Sequence, residues 1–349
     1  MKLKKLSALA LVLALLFTLA ACGAAPAETP TVTEAPAADA PVEATEAPAA
    51  EPVAVRLAAL TGPTAMGMAK IFSDADAGTG ANDYEIALYG AADELTPQIL
   101  QGGVDIAAVP LNLASVLYNK TSGGVKLCAV GVLGVLYITE FNGDAVQSLA
   151  DLKGKTIYAT GKGSTPEYFL RYLLAENGLQ LDTDVTVEWK SEPSEVVALL
   201  KAENGGIAML PQPYVTAAAA QLGEGFRTAV SLSEAWDALG SGSRCVTAGI
   251  VVRTAFAEEH PEAVEAFLAE MEESVAWVNA NPAEAGEICG AWNVIKAPVA
   301  AKAIPFCNLV CLTGEAMVSA AAGTLETIFA LNPAAVGGTM PGTDFWFGA

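Results

Sequence analysis

The sequence predicts an α/β protein built as two lobes. Two observations predict it. From residue 53 onward, strand patterns alternate with helix patterns, and one helix–glycine–strand unit occurs twice. Composition agrees: with 53% apolar and 16% charged residues, the chain is not globally disordered. A length of 349 residues suits one large or two mid-sized domains.

The N-terminus reads as a leader. Lys2, Lys4 and Lys5 form a positive cluster ahead of the apolar run Leu6 to Thr18. That run is short of the roughly 20 apolar residues a membrane span needs. Leu19-Ala20-Ala21-Cys22 resembles the bacterial lipobox, in which the cysteine is diacylated and becomes the first mature residue. Residues 1–21 are therefore expected to be a signal peptide and Cys22 the lipidation site. Residues 23–52 hold six acids and six prolines, with no Lys, Arg or aromatic residue. Such a stretch buries too little apolar surface to offset the entropy of ordering it, so residues 22–52 read as a lipidated, disordered Pro/Ala/Glu tether.

The folded part opens on Val53 to Leu60, the apolar run of a buried strand, which ends in the turn Thr61-Gly62-Pro63-Thr64. A helix is expected from Ala65 to about Phe72 and a second strand from Tyr84 to Tyr89. Asp93 to Gln101 reads as a short helix stopped by Gly102-Gly103, and Val104 to Val109 as a third strand ended by Pro110. The middle repeats the plan. Thr156 to Thr160 is a strand and Thr160 to Ser164 a loop. Thr165 to Asn177 is a helix with Phe169, Leu170, Leu173 and Leu174 at its apolar positions, closed by Gly178. Val185 to Trp189, Ser194 to Ala202 and Ile207 to Leu210 follow as strand, helix and strand. This order predicts open, mostly parallel sheets.

Gln98 to Pro110 and Leu199 to Pro211 can be laid over each other: a helix end, a glycine break and a strand closed by proline. Each sits at the third strand of its own βαβαβ set. Two lobes of similar topology follow, lobe 1 at 53–136 and 249–349 and lobe 2 at 137–248, joined by two hinge crossings. The last third begins with a strand from Ala248 to Arg253. A helix then runs from Pro261 to about Ala280, with Val264, Phe267, Leu268, Met271, Val275 and Val278 on one face. Ala-rich helical sequence continues to Ala330, which would put Cys307 and Cys311 on one helix face. A turn-rich aromatic tail closes the chain.

Charge and chemistry narrow the function. The chain carries 18 Lys+Arg, 39 Asp+Glu and one His, a formal net charge of -21. Nucleic acid is not an expected partner of so acidic a chain. The single His260 argues against a Ser-His-Asp triad or a multi-His metal site. No P-loop or G-x-S-x-G elbow occurs, and Asp74, Asp76, Asn82 and Asp83 lack the spacing of an EF-hand loop. Cys128, Cys245, Cys289, Cys307 and Cys311 show no disulfide framework and read as small buried apolar residues. The expectation is a chain that is not an enzyme and takes no cofactor and no metal.

The order of these features resembles the substrate-binding lipoproteins of bacterial ABC importers. The local motifs resemble those of the NMT1/THI5-like and SsuA-like proteins, a subgroup associated with uptake of nitrate, sulfonates, taurine and thiamine precursors. The residues that carry the resemblance are Ser148 to Ile157 (S-L-A-D-L-K-G-K-T-I), Gly163-Ser164-Thr165 opening a helix, Ile207 to Tyr214, Val252 to Val264, and Met340 to Phe347. It covers roughly residues 53 to 349. It implies a periplasmic-binding-protein type II fold with the ligand in the cleft between lobes. It also implies a monomer, lipid-anchored outside the cytoplasm on the bacterial cell membrane. Such a protein captures a small organic solute, anionic or heteroaromatic, by clamshell closure and delivers it to ABC permease subunits. The alternatives are a solute-sensing receptor module or an extracytoplasmic enzyme on the same fold. Gln212 stands where the family often has an acidic residue before the proline, and Gly206 where it often has Asp, so ligand identity does not carry over.

In open α/β sheets, ligands sit beyond the carboxyl ends of the strands, where helix N-termini present free N–H groups. Three loops qualify: Thr61 to Met66, Pro110 to Leu113 and Thr160 to Pro166. They offer Thr61, Thr64, Met66, Asn112, Thr160, Gly163, Ser164 and Thr165 as ligand-binding residues. Ser164 with Glu167 fits a capping box, and a small anion at that helix start would gain from the helix dipole. Gln212 and Tyr214 end a lobe 2 strand and Tyr137 lies near the first crossing, where aromatic rings suit a ring-bearing solute. Arg244, just before the return crossing, is a candidate counter-ion.

Overall fold

Val55, Leu57, Ala58 and Ala59 are all buried, as a strand covered on both faces requires. The strand they form, β1 (Ala54–Leu60), accordingly lies inside a sheet, paired in parallel with β2 (Asp83–Tyr89) and β3 (Ile106–Pro110). The computed structural model describes residues 52–240 and 242–349; the leader, Cys22 and the tether as far as Glu51 lie outside the described residues. Helices α1 (Pro63–Met66) and α2 (Ala69–Ala77) join β1 to β2. Then α3 (Ala92–Leu100) joins β2 to β3, and α4 (Leu111–Lys120) follows β3. The chain leaves this sheet between β4 (Val125–Leu133) and β5 (Leu136–Phe141).

The second sheet is built from β5, β6 (Thr156–Ala159), β7 (Thr186–Trp189), β8 (Gly206–Pro211) and β9 (Phe226–Ser231). Its helices are α5 (Thr165–Glu176), α6 (Pro193–Glu203), α7 (Tyr214–Leu222) and α8 (Leu232–Asp237). The chain returns to the first sheet with β10 (Val246–Arg253). There follow α9 (Thr254–Glu259), α10 (Pro261–Ala280), α11 (Pro282–Ala291), α12 (Ala297–Ala303), β11 (Leu309–Leu312) and α13 (Gly314–Leu331).

The strand orders are β11-β4-β10-β3-β1-β2 and β7-β6-β8-β5-β9. The repeated sequence unit has a direct counterpart here. β3 and β8 each lie beside the first strand of their own βαβαβ set, β1 or β6, and each has on its other side an antiparallel strand adjoining a crossing between the lobes, β10 or β5. The expectation of mostly parallel sheets is corrected: among the described residues, four strand pairings are parallel and five antiparallel. β10 and β5, which adjoin the crossings beside β3 and β8, run against the βαβ core of their sheets. The C-terminal stretch is also not one helical run. Pro305 and Asn308, the latter at φ 45°, interrupt it, and β11 joins the first sheet. Cys307 therefore precedes a strand on which Cys311 lies, and the two share no helix face.

One apolar cluster contains residues of both lobes: Leu111 and Leu117 of α4, Phe169 and Leu173 of α5, Trp236 of α8, and Met317, Leu325 and Ile328 of α13. Phe169 and Tyr172 lie against the Trp236 ring, with centroids 5.2 and 4.7 Å away. A second cluster packs α2 and α10 on the other face of the first sheet, and a third sits under α6 and α7. Asp105 is buried and ion-paired to two arginines, Arg56 and Arg253, each at 2.6 Å.

Candidate functional site

A cavity of about 210 Å³ lies where the two sheets meet. Lobe 1 contributes Thr61, Gly62, Pro63 and Thr64 from the turn after β1, and Gly90 after β2. The crossings contribute Val132, Val135, Thr247 and Ala248. Lobe 2 contributes Pro193 at the start of α6, and Pro211, Gln212 and Tyr214 between β8 and α7. The turns after β1, β2 and β8 come from the carboxyl ends of parallel strands, the place where open α/β sheets bind ligands. Gly62 adopts φ 121°, ψ -149°, a backbone state open essentially to glycine alone.

The polar groups of this cavity are few and specific. The Thr64 hydroxyl donates to the Leu60 carbonyl at 2.6 Å, which ties the turn to the end of β1. Gln212 is only 4% exposed. Its Oε1 accepts from the Thr216 N–H at 3.3 Å and the Thr216 hydroxyl at 2.9 Å. A backbone N–H donates only, so the atom facing it is the oxygen, and the amide orientation is fixed. Nε2 is then left without a partner among the described residues. The Thr247 hydroxyl is also buried with no hydrogen-bond partner. The Tyr214 phenol is pushed up by burial, with the Glu192 charge adding to the effect. No Lys, Arg, His, Asp or Glu lines the cavity.

The sequence-predicted residues divide sharply. Thr61, Thr64, Gln212 and Tyr214 line the cavity. Met66 does not: it is fully buried in the cluster under α2 and α10. Asn112 and Thr165 meet each other instead. The Thr165 hydroxyl donates to Asn112 Oδ1 at 2.9 Å across the lobe boundary, and Asn112 Nδ2 donates to the Ala335 carbonyl at 3.1 Å. Thr160 is nearly buried at the end of β6. Gly163 and Lys162 border a different hollow, of about 660 Å³, between α5 and the end of α13. Tyr137 and Arg244 belong to a groove of about 300 Å³ near Pro305 and Phe306, which Glu234 and Asp237 also line. Tyr137 also borders a groove of about 780 Å³ beside α7 and β9, and its hydroxyl donates to the Phe306 carbonyl at 3.3 Å.

The predicted capping box at Ser164 is not formed. The Ser164 hydroxyl donates back to the Gly161 carbonyl at 2.8 Å, and Glu167 Oε2 accepts from the Gly163 N–H at 2.6 Å. The positive φ of Gly161 and Gly163 turns this loop, so that the carboxylate reaches the residue before the cap. Sequence reasoning missed Thr247, Gly90 and Pro193. Thr247 did carry a signal, as a lone hydroxyl in the otherwise apolar run Val246 to Val252. The larger hollows exceed the 210 Å³ cavity in volume, but that cavity alone among them combines both lobes, both crossings and two unpartnered polar groups.

Two α/β lobes joined by two crossings, with a cavity at the junction that carries a few polar groups, define a two-lobed periplasmic-binding-protein fold. It is similar to the fold of an ABC transporter from Parabacteroides distasonis (TM-score 0.71, 21% identity, over 84% of this chain and 98% of that one). It is similar also to the periplasmic aliphatic sulphonate binding protein SsuA from Escherichia coli (TM-score 0.66, 18% identity, over 81% of this chain and 89% of that one). A third similar structure is the periplasmic nitrate-binding protein NrtA from Synechocystis PCC 6803 (TM-score 0.54, 16% identity, over 76% of this chain and 75% of that one). The chain belongs to the NMT1-like family, whose model matches residues 73–293, more than half of its length. No curated protein matches it. Among the described residues, no helix is long and apolar enough to cross a membrane, no cluster of His, Cys, Asp or Glu is fit to hold a metal, and the five cysteines are free.

Proposed function

We propose that this chain is the extracytoplasmic solute-binding component of an ABC importer, held to the membrane by lipid on Cys22 and by the tether that follows. The observation that carries the reading is the junction cavity with Thr247 Oγ1 and Gln212 Nε2 unpartnered. The buried Thr247 hydroxyl without a hydrogen bond is costly, and a solute that bonds it and the open Gln212 Nε2 removes that cost. Thr61, Thr64, Gln212, Tyr214 and Thr247 are the proposed contacts, reached from lobe 1 (53–136 and 249–349), lobe 2 (137–248) and the crossings between them. Binding selects the arrangement in which both lobes touch the solute, and the permease reads that arrangement. No bond is made or broken. The similarity to sulphonate- and nitrate-binding proteins supports the transport role.

The test is a thermal-shift screen of the soluble chain against a broad metabolite library, joined to native mass spectrometry of freshly purified protein. A solute at about 100 times its Kd stabilises by roughly 2.7 kcal/mol, a plainly visible shift. Absence of any shift and of any co-purified molecule refutes solute capture. Chemical conversion of a bound molecule makes the chain an enzyme instead. Mass spectrometry of the membrane-extracted mature N-terminus tests the anchor; an unacylated Cys22 refutes it.

A further inference from the structure

We propose that the junction cavity takes a small uncharged solute that presents hydrogen-bond acceptors, held by Gln212 Nε2 and Thr247 Oγ1, and that it rejects anions. This rests on the solute-binding reading above and departs from the sulphonate and nitrate ligands named for similar structures.

The first argument is the lining. No cationic side chain reaches it, so nothing there compensates an anion's lost hydration. The groove that shares Gln212 with it carries Lys302 and Glu234, and the charges at the cavity's own rim are negative. Glu94 Oε2 accepts from the N–H of the lining residue Gly90 at 3.3 Å, and Glu192 adjoins the lining residue Pro193.

The second argument is the fate of the helix N-termini, which are the other means by which a protein binds anions. Four helix starts, three of them at the junction, carry an oxygen of their own chain, three on the N–H of the residue before the cap and one in the first turn. Glu94 takes the Gly90 N–H ahead of α3, and Glu167 takes the Gly163 N–H ahead of α5 at 2.6 Å. Glu195 takes the Ser191 N–H ahead of α6 at 3.1 Å, and Gln212 Oε1 takes the Thr216 N–H in the first turn of α7. Three of these four oxygens belong to carboxylates. An incoming anion would meet like charge where it needs donors.

The third argument is the pair of open valences. Nε2 of Gln212 is a donor only, with its orientation fixed by Thr216, and the Thr247 hydroxyl donates or accepts. A carbonyl or ether oxygen has lone pairs for both, and a ring nitrogen, with one lone pair, serves either. A cation satisfies neither well, because the lining offers it no carboxylate. The volume of about 210 Å³ limits the solute to a small molecule.

The experiment uses the soluble chain and a charge-matched triple of nearly one shape: nicotinamide, nicotinate and 1-methylnicotinamide. It adds a neutral panel of lactams, pyrimidinones and simple amides, and an anion panel of nitrate and short alkanesulfonates. Binding is read by thermal shift and then by calorimetry. Neutral compounds are expected to bind while the charged partners of the same shape do not. Binding of nitrate, a sulfonate or nicotinate, or of the cation, overturns the proposal and leaves solute capture standing. No response to any compound overturns this proposal, while the library screen above still decides solute capture. For the neutral binder found, Gln212→Glu is expected to weaken affinity at least about tenfold and Thr247→Val at least about fivefold. Thr247→Val should leave the free protein's melting temperature unchanged or higher, since it removes an unsatisfied hydroxyl, so lost binding is not lost folding. Unchanged affinity in both variants refutes the assignment of these two groups.

Discussion

The hydrogen bond between Thr165 and Asn112 joins α5 of one lobe to α4 of the other, and replacing Thr165 by Val tests what it is worth. The two residues are 0% and 6% exposed, so the contact is dry. Valine keeps the shape of threonine and removes the hydroxyl that donates at 2.9 Å to Asn112 Oδ1. That oxygen is then buried with no donor, at a cost of about 1–3 kcal/mol. With an m-value of about 3 kcal/mol per molar urea, the denaturation midpoint falls by roughly 0.3–1 M. Thr165→Ser keeps the hydroxyl and should recover most of the loss. Asn112→Ala also removes the bond to the Ala335 carbonyl and should cost more. In the double variant, Thr165→Val should add little to Asn112→Ala, because its partner is already gone. Costs that add to within about 0.3–0.5 kcal/mol would mean the two side chains act independently, and the reasoning fails. An unchanged midpoint in Thr165→Val would refute it more simply.

Three further outcomes follow from particular contacts. Burial alone would raise the Asp105 carboxyl, but hydrogen bonds from Arg56 and Arg253 outweigh it and hold the group below its usual range. Its stabilising contribution is therefore present above the unfolded value of about 3.9 and lost as pH falls through the folded value. Asp105→Asn should lower the urea midpoint at pH 7 and flatten its decline between about pH 5 and pH 3; parallel curves would contradict this. A Cβ on Gly134 would sit 1.9 Å from Ser233 Oγ and 3.0 Å from Cys245 Sγ, so Gly134→Ala should cost about 1–3 kcal/mol by overpacking the crossing, read as a lower melting temperature. Burial raises every described cysteine thiol, Cys311 to about 11 and Cys289 to about 12. Native protein at pH 8 should therefore react slowly with a thiol reagent and release these five groups only in denaturant.

What was legible in the sequence is what local pattern controls. Apolar runs bounded by glycine or proline located β1, β3 and β8, because a strand covered on both faces has to be apolar throughout, and β6 followed from its place before the glycine loop of the second lobe. The matched units ending at Pro110 and Pro211 located equivalent strands in the two sheets, because each unit carries its own helix, break and strand. The antiparallel strands β4, β9 and β11 were not legible, since their direction is set by partners far along the chain. The cleft residues divide on the same ground. The turn Thr61 to Thr64 and the segment Gln212 to Tyr214 follow directly from strand ends, and both line the cavity. Asn112 and Thr165 also follow strands, but which loop faces the cavity and which faces another loop depends on how the lobes dock. Thr247 lies on a strand whose neighbours make it look like ordinary core, and its open valence exists only in three dimensions.

The lobes are joined in two chemically different ways, and this decides which variants can report on function. On one side, α13 packs on α4 and α5 with Leu325, Ile328, Phe169 and Leu173 in one apolar cluster, and Asn332 Nδ2 donates to the Tyr168 hydroxyl at 3.1 Å. Parting that side would expose large side chains at about 1.5–3 kcal/mol each. On the other side, the turn at Thr61 to Thr64 faces Pro193 and Tyr214 across the cavity, with space between them rather than packed core. Thr165→Val therefore weakens the packed side and leaves the cavity lining intact, whereas Thr247→Val alters the cavity and leaves the packed side intact. The two variants should separate cleanly, with a lower urea midpoint for the first and an unchanged or higher one for the second. If Thr247→Val instead lowers the midpoint as much as Thr165→Val does, the Thr247 hydroxyl is engaged in the free protein, and the cavity has no open valence there for a solute to fill.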